Sequence, residues 1–574
     1  MSAHREGIED AKAKGASIEF LDALQTILEE KVDVFRLALG GDPPVYMPPM
    51  RIKLKSEATP VRCRARRYSS AHREFLARHV KMLLDAGLCY RNPSSQWCSP
   101  PHIVPKGDDH RMTVDVREAN KRVVPVVWPM PILEVEFDRL RGMKFYFSLD
   151  FFKGFWQFAA AVDCQEIYSI LTEDGVITPT RVLMGGTNSV AYVQSTVQAM
   201  FGDLFNNGLL IWIDDLLGYA DSPEELLRIL LRVLTICEEM GLKLNPKKCK
   251  FFMAEALWCG RIVSGEGVRH DPARIQALRE LPAPSNGQEL QQFICALNWM
   301  RMSLPAFNKL VYPLSLFMEK VYAAAGGRKK SLVRRVTLRA VGWSDVELAA
   351  LQRCKEALEH ALTLAHPDPE KRLCVFTDAS DEHWGAAITQ VPQNHLHRDF
   401  ADQHHEPLMM LTGTLSGGAI VEKEAYAIVE TCKRADYLVR RPDGFSLFTD
   451  HRNLRYIFAP TTVSSAVPKY TADKLHRWSL LLMSLEYEIH DIAGDANVWA
   501  YLLSRWGSAF TTVAAIRLTS LPVSPQLDEN FDWSTAEHIQ AAQNSATDIP
   551  LNMQAGPDKV LRDCDGRVWL PDDA

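Results

Sequence analysis

Two adjacent carboxylates, Asp214 and Asp215, interrupt an apolar run that begins Leu209-Leu210-Ile211-Trp212-Ile213 and resumes at Leu216-Leu217. Charges set among such residues are costly to desolvate unless something compensates them. Two solutions are open: a hairpin turn that keeps both acids in water, or a bound divalent cation, for which carboxylate oxygens are hard ligands. The surrounding pattern reads strand, tight turn, strand, helix. Ser222-Pro223-Glu224-Glu225 is a capping box with proline at the first helical position. Leu226, Leu227, Leu230, Val233, Leu234 and Cys237 then recur at helical spacing, and Gly241 supplies the stop.

At 574 residues the chain exceeds one core, so several domains are expected. Its 47% hydrophobic and 24% charged residues are those of ordinary globular protein. With a formal charge of only -6, any nucleic-acid surface has to be a local basic stripe. None of the 12 cysteines forms a C-x-x-C pair, and they read as reduced, mostly buried thiols of an intracellular protein. The polar N-terminus argues against a secretory signal, and no apolar run approaches the roughly 20 residues of a membrane span. The expected setting is intracellular, in a cytoplasmic particle or the nucleus, with no membrane partner.

Strand and helix patterns alternate along the chain, which points to an α+β and α/β multidomain protein. Residues 1–45 read as an N-terminal leader with one amphipathic pattern from Ile18 to Leu37. Arg62, Arg64 and Arg66 alternate as on one face of an extended strand, fitting a solvated edge or a phosphate contact equally. The stretch Ala323 to Gly327, followed by Arg328, Lys329, Lys330, Arg334, Arg335 and Arg339, reads as a solvated basic linker. A second α/β unit opens at Leu373 with three strand patterns, a helix from Glu422 to Arg434, a strand ending at Asp450 and a helix from Asp473 to Met483. His395, His397, His404 and His405 fall between two of those strands and read as an exposed hairpin loop rather than a zinc site.

A third acid, Asp150, closes the strand Phe147-Ser148-Leu149, which can lie beside the Asp214 strand. Three acids at neighbouring strand ends make a site for two divalent ions, and phosphoryl transfer asks for little more than positioning and charge neutralisation. Lys106 and Arg111 supply cations suited to phosphate. The motifs around these residues resemble those of retroviral and retrotransposon reverse transcriptases. They are RMTVDVREANK (Arg111 to Lys121), SLDFFKGFWQF (Ser148 to Phe158), LMGGTNSVAYVQ (Leu183 to Gln194), WIDDLL (Trp212 to Leu217) and GLKLNPKKCKFF (Gly241 to Phe252).

That resemblance implies a right-hand fold, with fingers and palm over 46–265 and a thumb with basic linker over 266–370. It implies Asp150, Asp214 and Asp215 as metal-binding catalytic acids and Lys106 and Arg111 as triphosphate ligands. Phe155 takes the place of the steric gate that excludes a 2'-hydroxyl. Gly185 and Gln194 bracket the nucleotide and template surface, Lys248 (with Lys247 as its neighbour) is a proton donor to pyrophosphate, and Trp258-Cys259-Gly260 is the primer grip. Trp212 departs from the family's tyrosine, Ser189-Val190 from Ala-Pro, and Gly186 from leucine.

In the second unit, Asp378 and Asp450 end strands and Glu424 lies on a helix, a set that can converge on another two-metal site. FTDAS, EKEAYAIV and FTDHRNL resemble the RNase H domain of gypsy-class LTR retrotransposons, which implies an RNase H-like mixed-sheet domain over 371–506 with Asp378, Glu424 and Asp450 as its catalytic, metal-binding acids. The family's fourth aspartate is Tyr501 here, and a phenol titrating near 10 is a poor magnesium ligand. Cleavage of RNA is therefore expected to be impaired. Residues 507–574 read as a linker and a truncated lead-in to an integrase-type module, as in the central slice of a longer polyprotein.

The resemblance implies an RNA-directed and DNA-directed DNA polymerase using two Mg2+ ions per active site, with Mn2+ as a substitute. Its partners would be an RNA template, a DNA primer, RNA–DNA hybrid, dNTPs and other Pol and Gag segments of the element. The competing expectation is a decayed or co-opted retroelement protein that binds nucleic acid without catalysis.

Overall fold

The computed structural model describes residues 2–492 except 107–108, 306, 381, 399–401, 416–419, 452–453, 455–457 and 459–468, and beyond 492 only 543–544, 554–555 and 560–562. Tyr501 and nearly all of the tail lie outside the described residues. A separate unit combines 513–574 with 398–402; among its described residues, Gln554–Ala555 pairs with Leu561–Arg562.

The palm is an antiparallel sheet of β1 (Phe145–Asp150), β2 (Leu209–Trp212), β3 (Asp215–Ala220) and β4 (Lys250–Met253), in the order β2-β3-β1-β4. Helices α1 (Ser189–Phe201) and α2 (Pro223–Met240) back it. The α2 period predicted from sequence holds: Leu226, Leu230, Val233, Leu234 and Cys237 are fully buried against the sheet. Only half of the expected capping box forms. Ser222 Oγ accepts the Glu225 N–H, but the Glu225 carboxylate turns outward to Arg228.

Residues 1–45 are a larger structural element than one amphipathic pattern suggests. Helices Ser2–Ala13 and Ile18–Glu30 pack on the palm, and Phe20, Leu24, Leu28, Val34 and Phe35 belong to its core. The fingers comprise helix Ser70–Asp85, the hairpin Pro101–Lys106/Asp109–Val114 and a three-stranded sheet of Cys89–Arg91, Gly175–Pro179 and Ile170–Thr172.

The linker reading of 323–339 is corrected. Helix Phe307–Ala325 ends there, but Val333 and Leu338 return to the same buried core as Leu290, Phe317 and Leu351, so the segment belongs to one helical thumb module. Its basic side chains occupy the exposed positions between those anchors, and Arg328 pairs with Glu319.

The second α/β unit is a mixed sheet in the order β7-β6-β5-β8-β9, formed by β5 (Arg372–Ala379), β6 (His383–Val391), β7 (Glu406–Thr414), β8 (Phe445–Thr449) and β9 (Tyr487–Asp491). The β5–β8 and β8–β9 pairs are parallel, and β5–β6 and β6–β7 antiparallel. Helices α3 (Ile420–Arg434) and α4 (Lys469–Leu482) accompany it. The unit is tied to the palm and thumb through Leu364–Ala365, which adds a fourth strand to the sheet of 256–258, 261–263 and 267–270. Gly267 permits that approach, since a Cβ there would stand 2.3 Å from the Leu364 carbonyl oxygen. Arg141 pairs with Asp368, and His366 Nε2 lies 2.6 Å from the Ser264 carbonyl oxygen.

Candidate active sites

The first site is built by strand register. Asp150 is the cross-strand partner of Asp215, and Trp212 pairs with Asp215 across a two-residue turn made by Ile213 and Asp214. Ile213 has φ 57, a conformation that a β-branched residue adopts only under strain of about 1–3 kcal/mol. What holds it there is Gln194. Its Oε1 accepts the Ile213 N–H at 2.7 Å while its Nε2 donates to the Ile211 carbonyl at 3.1 Å. Gln194 is 0% exposed, so its expected place on the nucleotide and template surface is corrected: both ends of the amide are committed to the turn that carries the acids.

The carboxylates feel one another. Burial pushes the Asp215 carboxyl up to about 6, with the Asp214 and Asp150 charges adding to the shift. Asp214 is raised too, by burial first and then by Asp150. Lys248 Nζ sits 2.7 Å from both Asp150 oxygens, which distinguishes it from its neighbour Lys247. Gly154 leaves room beside the acids, since a Cβ there would lie 3.3 Å from the Asp214 Cβ.

Asp150, Asp214, Lys248, Phe155 and Arg111 line one open cavity of about 670 Å³, to which Phe75, Arg78 and His110 also contribute. Arg111 is exposed on the fingers hairpin. The backbone of Lys106 ends the opposing strand, and its side chain lies outside the described residues. Gly185 has φ 96 and accepts a hydrogen bond from Asn120 Nδ2 at 2.9 Å. Gly186, where the resemblance leads one to expect leucine, has no room for a side chain: a Cβ would meet the Ser189 Oγ at 2.6 Å and the Tyr168 ring at 2.9 Å. Ser189, in place of alanine, buries its hydroxyl by donating to the Leu183 carbonyl at 2.8 Å.

Cys259 (φ 48) and Gly260 (φ 76) form the turn between Ala256–Trp258 and Arg261–Val263, the positive-φ pair that favours tight hairpins. Trp212 packs against the apolar cluster that contains Trp258, Tyr146 and Leu217, which explains how an indole is accommodated there. One residue escaped the sequence reading. Gln157 accepts the Lys243 N–H at 2.6 Å and donates to the Phe152 and Lys243 carbonyls, stitching the segment after β1 to that before β4. Its only signal was an amide inside the aromatic stretch FKGFWQF.

The second site gathers Asp378 from β5, Glu424 from α3 and Asp450 from just beyond β8, with carboxylate oxygens within 4.8 Å of one another. Among the described residues it is the tight three-acid cluster; in the palm, Lys248 draws Asp150 into an ion pair. Glu424 Oε1 accepts the Ala379 N–H at 2.9 Å, and its other oxygen is buried without a hydrogen-bond partner among the described residues. Burial, with Asp378 and Asp450 nearby, pushes the Glu424 carboxyl up to about 9. A buried carboxylate oxygen with no donor and two acids beside it fits a divalent cation.

The four histidines do not gather on a metal among the described residues. His405 departs from the exposed-loop expectation: it is half-buried with its ring edge-on to Phe376, its Nδ1 is 2.8 Å from the Thr389 hydroxyl, and desolvation lowers its pKa to about 4.

Two family models match the chain: "Reverse transcriptase (RNA-dependent DNA polymerase)" over residues 104–279 and "RNase H-like domain found in reverse transcriptase" over 368–487. The Pol polyproteins of transposons 297 and 412 from Drosophila melanogaster are 25% and 26% identical over 76% and 85% of the chain. The Tf2-3 transposon polyprotein of Schizosaccharomyces pombe is 26% identical over 74%. The chain carries the reverse transcriptase and RNase H-like domains of a retrotransposon Pol polyprotein. It spans 30–38% of the length of these relatives.

The same two domains govern the fold likeness. A foamy viral protease-reverse transcriptase in complex with double-stranded DNA matches with a TM-score of 0.71 at 19% identity, over 86% of this chain and 82% of that one. The foamy viral protein in complex with RNA/DNA hybrid matches at 0.69 and 19%, over 91% of this chain and 65% of that one. The reverse transcriptase domain therefore has the right-hand architecture, followed by the mixed-sheet RNase H-like domain.

Proposed function

We propose that the chain is an RNA-directed DNA polymerase that also copies DNA, and that its RNase H-like domain grips RNA–DNA hybrid while cleaving it poorly. The observation that carries the polymerase reading is the register that sets Asp150 beside Asp215, with Asp214 in the adjoining turn, at the floor of a cavity that Arg111 also lines. Bound divalent ions, Mg2+ or Mn2+, would activate the primer 3'-hydroxyl and stabilise the leaving pyrophosphate. Asp150, Asp214 and Asp215 would hold those ions. Arg111 would offer the triphosphate a bidentate fork, and Lys106 a point charge. Phe155, which lines the cavity, would exclude a ribose 2'-hydroxyl and so favour dNTPs. Lys248, which pairs with Asp150 at 2.7 Å, would serve as the proton donor to the departing pyrophosphate. Duplex would be held mainly through phosphates, with little sequence preference.

In the RNase H-like domain, Asp378, Glu424 and Asp450 would bind the ions, while Tyr501 stands where a fourth acid is expected. The domains' other Pol and Gag partners and an intracellular site of action follow from the same reading.

The test is primer extension on poly(rA)/oligo(dT) with magnesium or manganese, beside Asp214→Asn. Incorporation well above that variant is expected. Parity with it would favour the second reading, a decayed element that binds nucleic acid without catalysis, for which Tyr501 and Trp212 speak. For the nuclease, Tyr501→Asp is expected to raise cleavage of a labelled hybrid at least tenfold, about 1.4 kcal/mol of barrier. Equal cleavage by both chains would sink the impairment.

A further inference from the structure

The N-terminal segment is joined to the catalytic strand by one intermediate rung. The Arg36 N–H donates to the Leu244 carbonyl at 2.9 Å, and the Leu244 N–H donates to the Val34 carbonyl at 2.8 Å, a short parallel bridge centred on Phe35. On its other side Leu244 bridges Phe151 in antiparallel fashion. There the Phe152 N–H donates to the Lys243 carbonyl and the Asn245 N–H to the Asp150 carbonyl, both at 2.9 Å. Lys243 also reaches back to the Asp33 carbonyl with its ammonium at 2.9 Å.

Residues 243–245 thus bridge the N-terminal segment and the end of β1. Three residues further on, Lys248 meets the Asp150 carboxylate. Phe35 and Leu244 are buried in the same apolar core as Phe151, so the rung is desolvated and its hydrogen bonds are not easily exchanged for water.

We propose that residues 32–36 act as a positioning brace of the polymerase: they fix the 241–248 segment in the register that keeps Lys248 over Asp150. None of these residues is among those lining the 670 Å³ cavity. Their effect passes through Leu244 and Asn245 to the backbone of Asp150 and through the loop to Lys248. The inference rests on the polymerase reading for its functional consequence, but its structural half can be read without activity.

Arg36→Pro in the full chain removes the N–H donor to Leu244, whereas Arg36→Ala retains it. The preceding Phe35, at φ -101 and ψ 139, has the extended backbone that proline tolerates. Hydrogen exchange of 241–248 is expected to speed up in Arg36→Pro relative to Arg36→Ala. Extension should fall about fivefold to tenfold, as for loss of about one buried hydrogen bond. The magnesium concentration for half-maximal extension should shift, with little change in duplex affinity.

Lys243→Met, which loses only the tie to the Asp33 carbonyl, should move the same readings less, and it keeps the test alive if Arg36→Pro does not fold. Unchanged exchange in 241–248 for both variants, or extension and metal dependence matching Arg36→Ala, overturns the inference. If the unvaried chain extends no primer, the polymerase reading fails instead, while selective loss of protection in 241–248 still supports the brace.

Discussion

Glu424 and Asp215 are acids whose proton is held more tightly in the folded chain than in the unfolded one. Burial raises Glu424 from 4.5 to about 9 and Asp215 from 3.8 to about 6. A raised carboxyl favours folding at low pH. Its contribution is fully present below the unfolded value and is lost as pH climbs through the folded one. The windows are therefore about 4 to 6 for Asp215 and 4.5 to 9 for Glu424. In chelator at pH 8, Glu424→Gln and Asp215→Asn are expected to raise the melting temperature, with the gain shrinking toward pH 4. Added magnesium should stabilise the unvaried chain more than either variant. Melting curves with and without metal check this; a lower melting temperature for Glu424→Gln at pH 8 without metal would contradict it.

At the scale of elements, helix α1 and the β2–β3 hairpin depend on each other through one amide. Without Gln194, the Ile213 N–H loses its partner in a turn that already carries an unfavourable φ. Gln194→Ala is expected to destabilise the chain by about 1–3 kcal/mol and to slow extension while leaving duplex affinity nearly unchanged. Denaturant melts and single-turnover extension measure the two effects. Sequence made the hairpin, α2 and the acids legible, because period-two and helical patterns report which face is buried. It misassigned Gln194 because a motif records that an amide is required, not which way it points. The basic stretch after Ala325 misled for a related reason: Val333 and Leu338 are two isolated anchors, too sparse to register as a periodic pattern.

Across the whole molecule, the two domains are linked by a backbone pairing and a few polar contacts. Arg141 and Asp368 form an ion pair across that junction, with Asp368 the less exposed partner. The Asp368 carbonyl also accepts from Arg441 at 3.0 Å. A double-mutant cycle on Arg141→Ala and Asp368→Ala is expected to show coupling of about 0.5–1 kcal/mol, weakened by salt, as for a partly exposed pair. Coupling indistinguishable from zero in low salt would remove the pair from the junction. This domain order and the two cores were readable from the motifs. The junction was not, since Leu364 and Ala365 are only two residues long and carry no strand signature alone.

That two-residue strand decides where the chain can be divided. Leu364–Ala365 covers Gly267 and Val268 at the outer edge of its sheet, so a polymerase fragment ending before 364 would leave that stretch of strand edge unpaired. Such an edge invites pairing with another molecule and precipitation. Fragments ending at 370 keep it covered, and solubility of the two truncations should differ accordingly.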